Sequence, residues 1–318
     1  MNVIQQLRRL KQRLPHVISH RLRWVGVAIA VFIGVVFYSV VVLSQQPITL
    51  TVLMPAPDTP PWRPLIEEFQ SQNPNIRVQI VEGPNASDAV EDLYTSSFLL
   101  GDSPYDMVVM DVIWVPKFAA AGWLQDLSDR VSEEQLAAYT EASIAASRFE
   151  DGLYQIPLRS DVGMLYYRTD LLEQIGAQPP ETFSDLMTIS QQLQADDVVP
   201  WGYVWQGRQY EGVSAMFVEV LEGAGGFWIN PETQEVGLDQ PEAIQALEFL
   251  RSTITEGVSP SGVSTYQEED VRRFFQNGQT AFMRNWPYAY ALGAEEGSEI
   301  AGNFDIKPMV HAPGQTSG

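Results

Sequence analysis

The chain has no cysteine among its 318 residues and only three histidines. Without thiols there can be no disulfide, no thiolate zinc site and no thiol nucleophile. Two of the histidines, His16 and His20, lie in a basic N-terminal segment, which leaves His311 as the single imidazole in the rest of the chain. A Ser-His-Asp arrangement or a multi-histidine metal site therefore has almost no residues from which to be built. No phosphate loop, nucleotide fingerprint or calcium loop is present, so we expect neither a metal nor a cofactor.

Acidic residues are missing from the start of the chain, where no Asp or Glu precedes Asp58. Six of the nineteen basic residues lie in 1–23, directly before an uncharged apolar run over 24–43. Such a run is long enough to span a hydrocarbon core of roughly 30 Å. A positive flank stays on the cytoplasmic side. The pattern predicts a basic cytoplasmic flank at 1–23 and a transmembrane anchor or signal segment at 24–43. Because no cysteine can carry a lipid, we favour an uncleaved anchor over a cleaved signal peptide. In either case, we place the remainder of the chain in the periplasm or another extracytoplasmic space.

The part beyond this run has 13 Lys and Arg against 40 Asp and Glu, a formal charge of −27. Phosphate is repelled by such a surface, so nucleic acid is excluded as a partner. An anionic ligand is disfavoured for the same reason, whereas a neutral ligand is not. About 270 residues remain, which is enough for one large or two medium domains with a genuine core.

Short apolar runs alternate with helical patterns in the first half of this part. The predicted strands are 48–54, 76–81 and 106–110, with helices through 65–69 and 87–100 between them. Strand and helix in alternation favour an α/β fold with a parallel sheet. The middle of the chain is richer in helix, with recognisable starts at Thr182 and at Pro241.

Tryptophan is abundant outside the N-terminal segment, which holds only one of the eight. Several of the other seven lie in polar loops, and many have carboxylates nearby. A flat apolar ring stacked on a pyranose, with carboxylates accepting its hydroxyls, is what recognition of a neutral sugar requires. Each buried hydroxyl left unpaired would cost about 1 to 3 kcal/mol. Composition alone leaves each of these rings equally open to a role in the core.

Five segments carry a resemblance to a known family. They are 154–171 (YQIPLRSDVGMLYYRTDL), 106–114 (DMVVMDVIW), 118–124 (FAAAGWL), 205–212 (WQGRQYEG) and 284–288 (RNWPY). Together they resemble bacterial extracellular solute-binding proteins that feed ABC sugar importers, most closely the binders of trehalose, maltose and glucosylglycerol. The first segment is similar to the domain crossover of that family, and the last two to its sugar contacts.

The resemblance implies a type II periplasmic binding protein, with two α/β lobes that close around a cleft. It places the N-terminal lobe at 48–158, with 303–318 returning to it, and the C-terminal lobe at 159–302. The implied function is that of a monomeric substrate-binding component, without catalysis, for uptake of a neutral disaccharide or similar glycoside (trehalose, maltose, sucrose or glucosylglycerol). The implied partners are this oligosaccharide ligand and the permease subunits of an ABC transporter.

The resemblance also implies which side chains meet the sugar: Asp58, Asp111, Trp114, Arg159, Asp161, Tyr210, Glu211, Trp286 and Tyr288. Asp58 follows the first strand and could equally be a turn residue before a helix. Asp111 and Asp161 are expected at the cleft edge, where a carboxylate accepts hydroxyls; the alternative is a plain surface charge. Arg159 either holds Asp161 ionised, touches the ligand, or forms an ordinary ion pair.

In the second lobe the resemblance implies that Trp286 is the stacking ring, with Tyr288 as its substitute. Tyr210 would supply a phenol hydroxyl and Glu211 a further acceptor, although Glu211 could instead be an acid of the first helical turn. Trp114 is a weaker candidate because it could close the core of its lobe.

Two other functions and one structural expectation accompany this interpretation. Paired carboxylates such as Asp111, Asp161 and Glu211 could serve a glycoside hydrolase. An uncleaved anchor could make the chain the ectodomain of a sugar-sensing receptor. Chains of the resembling family continue beyond the point where this one stops. We therefore expect a fragment with exposed apolar faces and reduced stability.

Overall fold

The computed structural model describes residues 24–35, 47–230 and 232–317. Residues 24–35 are helical. The predicted basic flank at 1–23 and the second part of the predicted membrane segment, 36–43, lie outside the described residues. Within the described ranges, no helix combines the length and the apolar character needed to cross a bilayer.

The strands of the described chain are β1 (Ile48–Pro55), β2 (Ile76–Gly83), β3 (Met107–Val108), β4 (Arg148–Phe149), β5 (Gly152–Leu153), β6 (Met164–Arg168), β7 (Trp201–Val204), β8 (Thr280–Asn285) and β9 (Phe304–Lys307). After residue 47 the α-helices are α1 (Thr59–Gln72), α2 (Ser87–Leu99), α3 (Val115–Ala120), α4 (Glu133–Leu136), α5 (Glu141–Ala146), α6 (Thr169–Ile175), α7 (Phe183–Ala195), α8 (Glu211–Gly223), α9 (Pro241–Thr255), α10 (Glu268–Gln276) and α11 (Tyr288–Gly293). Short 3-10 turns occupy Ala56–Asp58, Val112–Trp114 and Ser261–Thr265.

The first of two compact units comprises the described residues up to Asn85 together with Leu93–Met110. Its sheet has the order β2-β1-β3, and both pairings are parallel, as the alternation of strand and helix predicts. β3 is shorter than the predicted strand at 106–110, because only two of its residues pair with β1. The hydroxyl of the fully buried Tyr94 lies 2.9 Å from the Leu53 carbonyl oxygen and 2.8 Å from that of Val109. One side chain thus ties two neighbouring strands at their carboxyl ends.

The second unit comprises Ala86–Asp92 and Asp111–Gly318. Its four-stranded sheet has the order β7-β8-β6-β9; β6 is antiparallel to both of its neighbours, whereas β7 and β8 are parallel. The parallel sheet predicted from 48–110 is thus confirmed in the first unit, and the second unit has a mixed sheet. The core of the second unit packs on this sheet around Leu165, Tyr203 and Phe282, none of which is exposed.

The compact units do not divide where the resemblance places the lobes. The second unit takes in Asp111 and the residues after it, well before 158. Residues 303–318, expected to return to the N-terminal lobe, belong to the second unit, because β9 pairs with β6 from Leu165↔Lys307 to Arg168↔Phe304. This ladder joins segments far apart in sequence, and no local pattern indicates it.

The predicted helix starts at Thr182 and Pro241 are both confirmed. Thr182 accepts the Asp185 N–H at 3.1 Å while the Asp185 carboxylate accepts the Thr182 N–H at 2.9 Å, forming a capping box at the start of α7. Pro241 occupies the first position of α9, where its missing N–H costs no helical hydrogen bond.

Candidate functional site

A buried arginine lies near the end of β8, a strand in which every residue is buried. The Arg284 side chain is 0% exposed. Its Nε donates to Oε2 of Glu219 at 2.8 Å, and its Nη2 pairs with the other carboxylate oxygen. Nη1 also reaches Oε1 of Gln206 at 3.4 Å. A buried charge is tolerated only when it is paired and hydrogen-bonded, and these two partners meet that requirement.

The indole of Trp286 lies against this arginine, with Cζ of Arg284 3.8 Å from the ring centroid. A guanidinium at this distance is attracted by the negative face of the ring. The backbone of Trp286 is held as well, since its N–H donates to the Asn285 side chain at 2.8 Å and its carbonyl accepts the Tyr166 hydroxyl at 2.7 Å. Trp286 as a whole is only partly buried. It is therefore a positioned aromatic surface at the end of a rigid strand.

Glu268, the first residue of α10, connects two of the predicted contacts. Its Oε1 accepts the Tyr210 hydroxyl at 2.6 Å and lies 3.4 Å from Nε1 of Trp286. Its backbone carbonyl accepts from the Asn285 amide at 3.1 Å. Burial, reinforced by the neighbouring Glu268 charge, raises the pKa of Tyr210, so this phenol remains protonated. Tyr210, Glu268 and Trp286 thus form one hydrogen-bonded group.

Glu211 opens α8 beside this group. Its backbone N–H donates to Oδ1 of Asp88 at 3.2 Å. Burial raises the pKa of Glu211 to about 7, with the charges of Asp111 and Glu268 adding to the effect and that of Arg284 opposing it. Near neutral pH this carboxyl can therefore either donate a proton to a hydrogen bond or accept one.

Asp111 caps the 3-10 turn that follows it, because its Oδ1 accepts the Ile113 N–H at 3.3 Å. Burial raises the pKa of Asp111, against the opposing effects of two backbone N–H bonds and of the Arg159 charge. Arg159 pairs with Asp161 through Nε and Oδ2 at 2.9 Å, with side chains 59% and 34% exposed. Asp111 thus interacts electrostatically with both Glu211 and Arg159.

Three predicted residues have other surroundings. Trp114 is 5% exposed and packs on Phe118, with ring centroids 6.1 Å apart, which is a contact typical of a core. Tyr288 is 41% exposed and donates its hydroxyl to Glu269 at 2.8 Å. Asp58 lies in the first unit, immediately before α1, and makes no side-chain capping bond there.

Four residues of the site were missed by reasoning from the sequence: Gln206, Glu219, Glu268 and Arg284. Glu268 lies in a run of acids at a helix start, a pattern typical of solvated first-turn residues. Gln206 and Arg284 both stand within segments that resemble the family, yet nothing in the local sequence indicates that either is buried. Although several carboxylates gather here, no group of three Asp, Glu or His in the described part of the chain is arranged to hold a metal ion.

Comparison with known proteins identifies several relatives of this chain. A probable ABC transporter-binding protein of Deinococcus radiodurans is 36% identical over 242 residues, covering 74% of this chain and 57% of that protein. A maltotriose-binding protein of Pyrococcus abyssi is 22% identical over 78% of this chain and 50% of its own length. The solved structure of maltose-bound MalE3 from T. maritima has a TM-score of 0.80 and 34% identity, covering 85% of this chain and 69% of that one. The chain spans about half the length of the curated relatives it matches.

The fold and the family model agree with these relatives. A TM-score of 0.80 over most of the chain gives it the mixed α/β, two-lobe fold of the solved binding protein. The family model described as bacterial extracellular solute-binding protein matches residues 56–317. Its members bind solutes and are not enzymes, which confirms the prediction that the chain has no catalytic function. The chain belongs to the bacterial extracellular solute-binding protein family.

Proposed function

We propose that this chain is the substrate-binding component of an ABC importer and that it binds a neutral disaccharide or similar glycoside. The observation that carries the proposal is the partly buried Trp286 ring, positioned by Arg284 and bordered by carboxylates in the same compact unit. The names of the relatives agree with it, since one binds maltotriose and one was solved with maltose.

The chemistry of the group around Trp286 suits a sugar. An indole face provides apolar surface for the C–H face of a pyranose, and this contact does not require charge on the ligand. Glu268 and Glu211 provide acceptors for hydroxyl groups at the edge of the ring, and Tyr210 provides a phenol. Because a sugar has hydroxyls around its whole perimeter, polar partners beside an aromatic plane satisfy it without leaving buried hydroxyls unpaired.

The remaining predicted contacts complete the proposal. Asp111, Asp161 and Arg159 form a polar group linked electrostatically to Glu211, and they would bind further hydroxyls. We retain Asp58, Trp114 and Tyr288 as proposed contacts on the strength of the family resemblance. We further propose an extracytoplasmic location, membrane tethering through the apolar segment at 24–43, a monomeric state, and recognition by permease subunits.

Isothermal titration of the full 318-residue chain with maltose, trehalose, sucrose and glucosylglycerol tests this function. We expect heat of binding from at least one of the four. Trp286→Ala should weaken that binding by about 1 to 3 kcal/mol through lost stacking. Trp228→Ala is the matched control, because it removes the same side chain from a position whose ring contacts Phe217 instead. Absence of binding to the whole panel, or equal affinity in Trp286→Ala and the parent, would contradict the proposal.

A further inference from the structure

We propose that Arg284 is a positioning residue, which sets the plane of the Trp286 ring on which the ligand stacks and does not itself touch the ligand. This inference rests on the proposed function, because it assigns a role within the same site. Burial excludes direct contact, since the Arg284 side chain has no exposed surface. Its influence on a ligand must therefore pass through a neighbouring group, and its guanidinium lies over the ring of Trp286.

The geometry of the guanidinium explains how it can orient a ring. All five N–H donors of a guanidinium lie in one plane, so hydrogen bonds along its edge fix that plane in space. Glu219 takes two of these bonds and Gln206 accepts a longer one. The central carbon of the guanidinium lies over the Trp286 ring, 3.8 Å from the ring centroid. Two edge partners thus define the surface against which the indole packs.

Gln206 holds the strand end as well as the guanidinium. Its Nε2 donates to the backbone carbonyl of Arg284 at 3.1 Å while its Oε1 faces the Arg284 side chain. Gln206 is itself fully buried. The side chain and the main chain of Arg284 are therefore tied to the same residue, which restricts movement of the segment that carries Trp286.

A glycine makes room for the counterion of this arginine. A Cβ atom on Gly163 would lie 2.1 Å from Oε1 of Glu219, far inside contact distance. The clash would involve the far end of a flexible side chain, so Gly163→Ala should displace the Glu219 carboxylate while the backbone stays in place. This substitution disturbs the edge partner of Arg284 without altering any residue that binds it.

The balance of charge between Arg284 and Glu219 gives a second reason to assign Arg284 a role without ligand contact. Its positive charge is compensated by Glu219, so the pair adds little net charge beneath the ring. A buried ion pair can often be replaced by apolar residues without loss of stability. An arginine at this position is therefore explained better by the orientation it gives than by stability alone.

A double-mutant cycle in the full chain tests the inference, with the best-binding sugar of the four-member panel as the probe. Arg284→Lys keeps the positive charge but loses the flat face and the fork of donors. We expect it to weaken binding about three- to thirtyfold in the parent and less than about twofold in the Trp286→Ala background. Equal losses in the two backgrounds, or lowered thermal stability with unchanged affinity, would overturn the inference.

A measurement on the ring itself needs no ligand and separates this inference from the proposed function. The full chain is labelled with 5-fluorotryptophan, and the Trp286 fluorine signal is assigned with Trp286→Phe. We expect Arg284→Lys and Gly163→Ala both to shift or broaden that signal while leaving the Trp228 signal unchanged. If the signal responds and no sugar binds the parent, the positioning role stands and the proposed function fails. If sugar binds and the signal does not respond, the positioning role is refuted.

Discussion

Replacing Glu211 by glutamine should make the protein more stable at neutral pH, although it removes a charged residue from the start of a helix. In the folded protein burial raises the pKa of Glu211 to about 7, from an ordinary value of 4.5. At a pH between these two pKa values, Glu211 holds a proton in the folded state that it has released in the unfolded state. The free energy of unfolding of the parent therefore falls as pH rises from about 4.5 to about 7 and is constant above that window. Glutamine does not titrate, so the variant avoids this loss.

The magnitude follows from the size of the pKa change. A difference between 4.5 and about 7 corresponds to roughly 3 kcal/mol at about 1.4 kcal/mol per pH unit. Because the side chain is only partly buried, solvent screening reduces the expected gain to about 1 to 2 kcal/mol. The helix N-terminus favours the charged form by about 0.3 to 1 kcal/mol. Burial and the nearby Asp111 and Glu268 charges outweigh this attraction, since the net effect on the pKa is upward.

Urea unfolding followed by circular dichroism, at intervals from pH 4 to pH 8, measures the difference between Glu211→Gln and the parent. We expect a constant offset below about pH 4.5, a difference that grows in favour of the variant up to about pH 7, and no further growth above it. Glu222→Gln is the matched control, because Glu222 is an exposed acid on the same helix. A difference that does not change with pH, or a growing destabilisation of Glu211→Gln, would refute the reasoning.

Three further substitutions address other parts of the chain. Tyr94→Phe removes the hydroxyl that two strand-end carbonyls share. It should lower the free energy of unfolding by about 1 to 2 kcal/mol. An effect no larger than that of the exposed control Tyr139→Phe would contradict this. Thr182→Ala removes the capping box of α7 and should cost about 1 kcal/mol in urea unfolding, whereas an unchanged midpoint would show that the cap contributes nothing. Arg159→Gln breaks an exposed pair with Asp161 and should change stability by less than about 1 kcal/mol; if titration calorimetry also finds unchanged sugar affinity, Arg159 is not a ligand contact.

The local features of the fold could be predicted from sequence, because the interactions that determine them lie within a few residues. The runs that became β1 and β2 are regular and have prolines in their flanking segments. The starts of α7 and α9 are likewise set by a capping box and by a proline within one turn. The pairing of β9 with β6 was not predictable in this way, because their partners are separated by more than one hundred positions.

The candidate site was predicted mainly through the family resemblance. That resemblance names Trp286 as the stacking ring, and the structure leaves this residue partly exposed. Arg284 could not be named on physical grounds, since burial of an arginine depends on Glu219 and Gln206 arriving from distant elements. Glu268 was missed for a similar reason: an acid at a helix start is usually solvated, and only the tertiary fold brings Tyr210 to it.

The aromatic surface and its polar border are carried by elements of different rigidity. Trp286 follows an interior strand that has a neighbour on each side, so displacing the backbone that carries it would require rearrangement of three strands. Glu211 and Glu268 are instead each the first residue of a helix and lie outside the sheet. Under the proposed function, we therefore expect ligand preference to diversify through the two helix-opening acids while the indole is retained as the stacking surface.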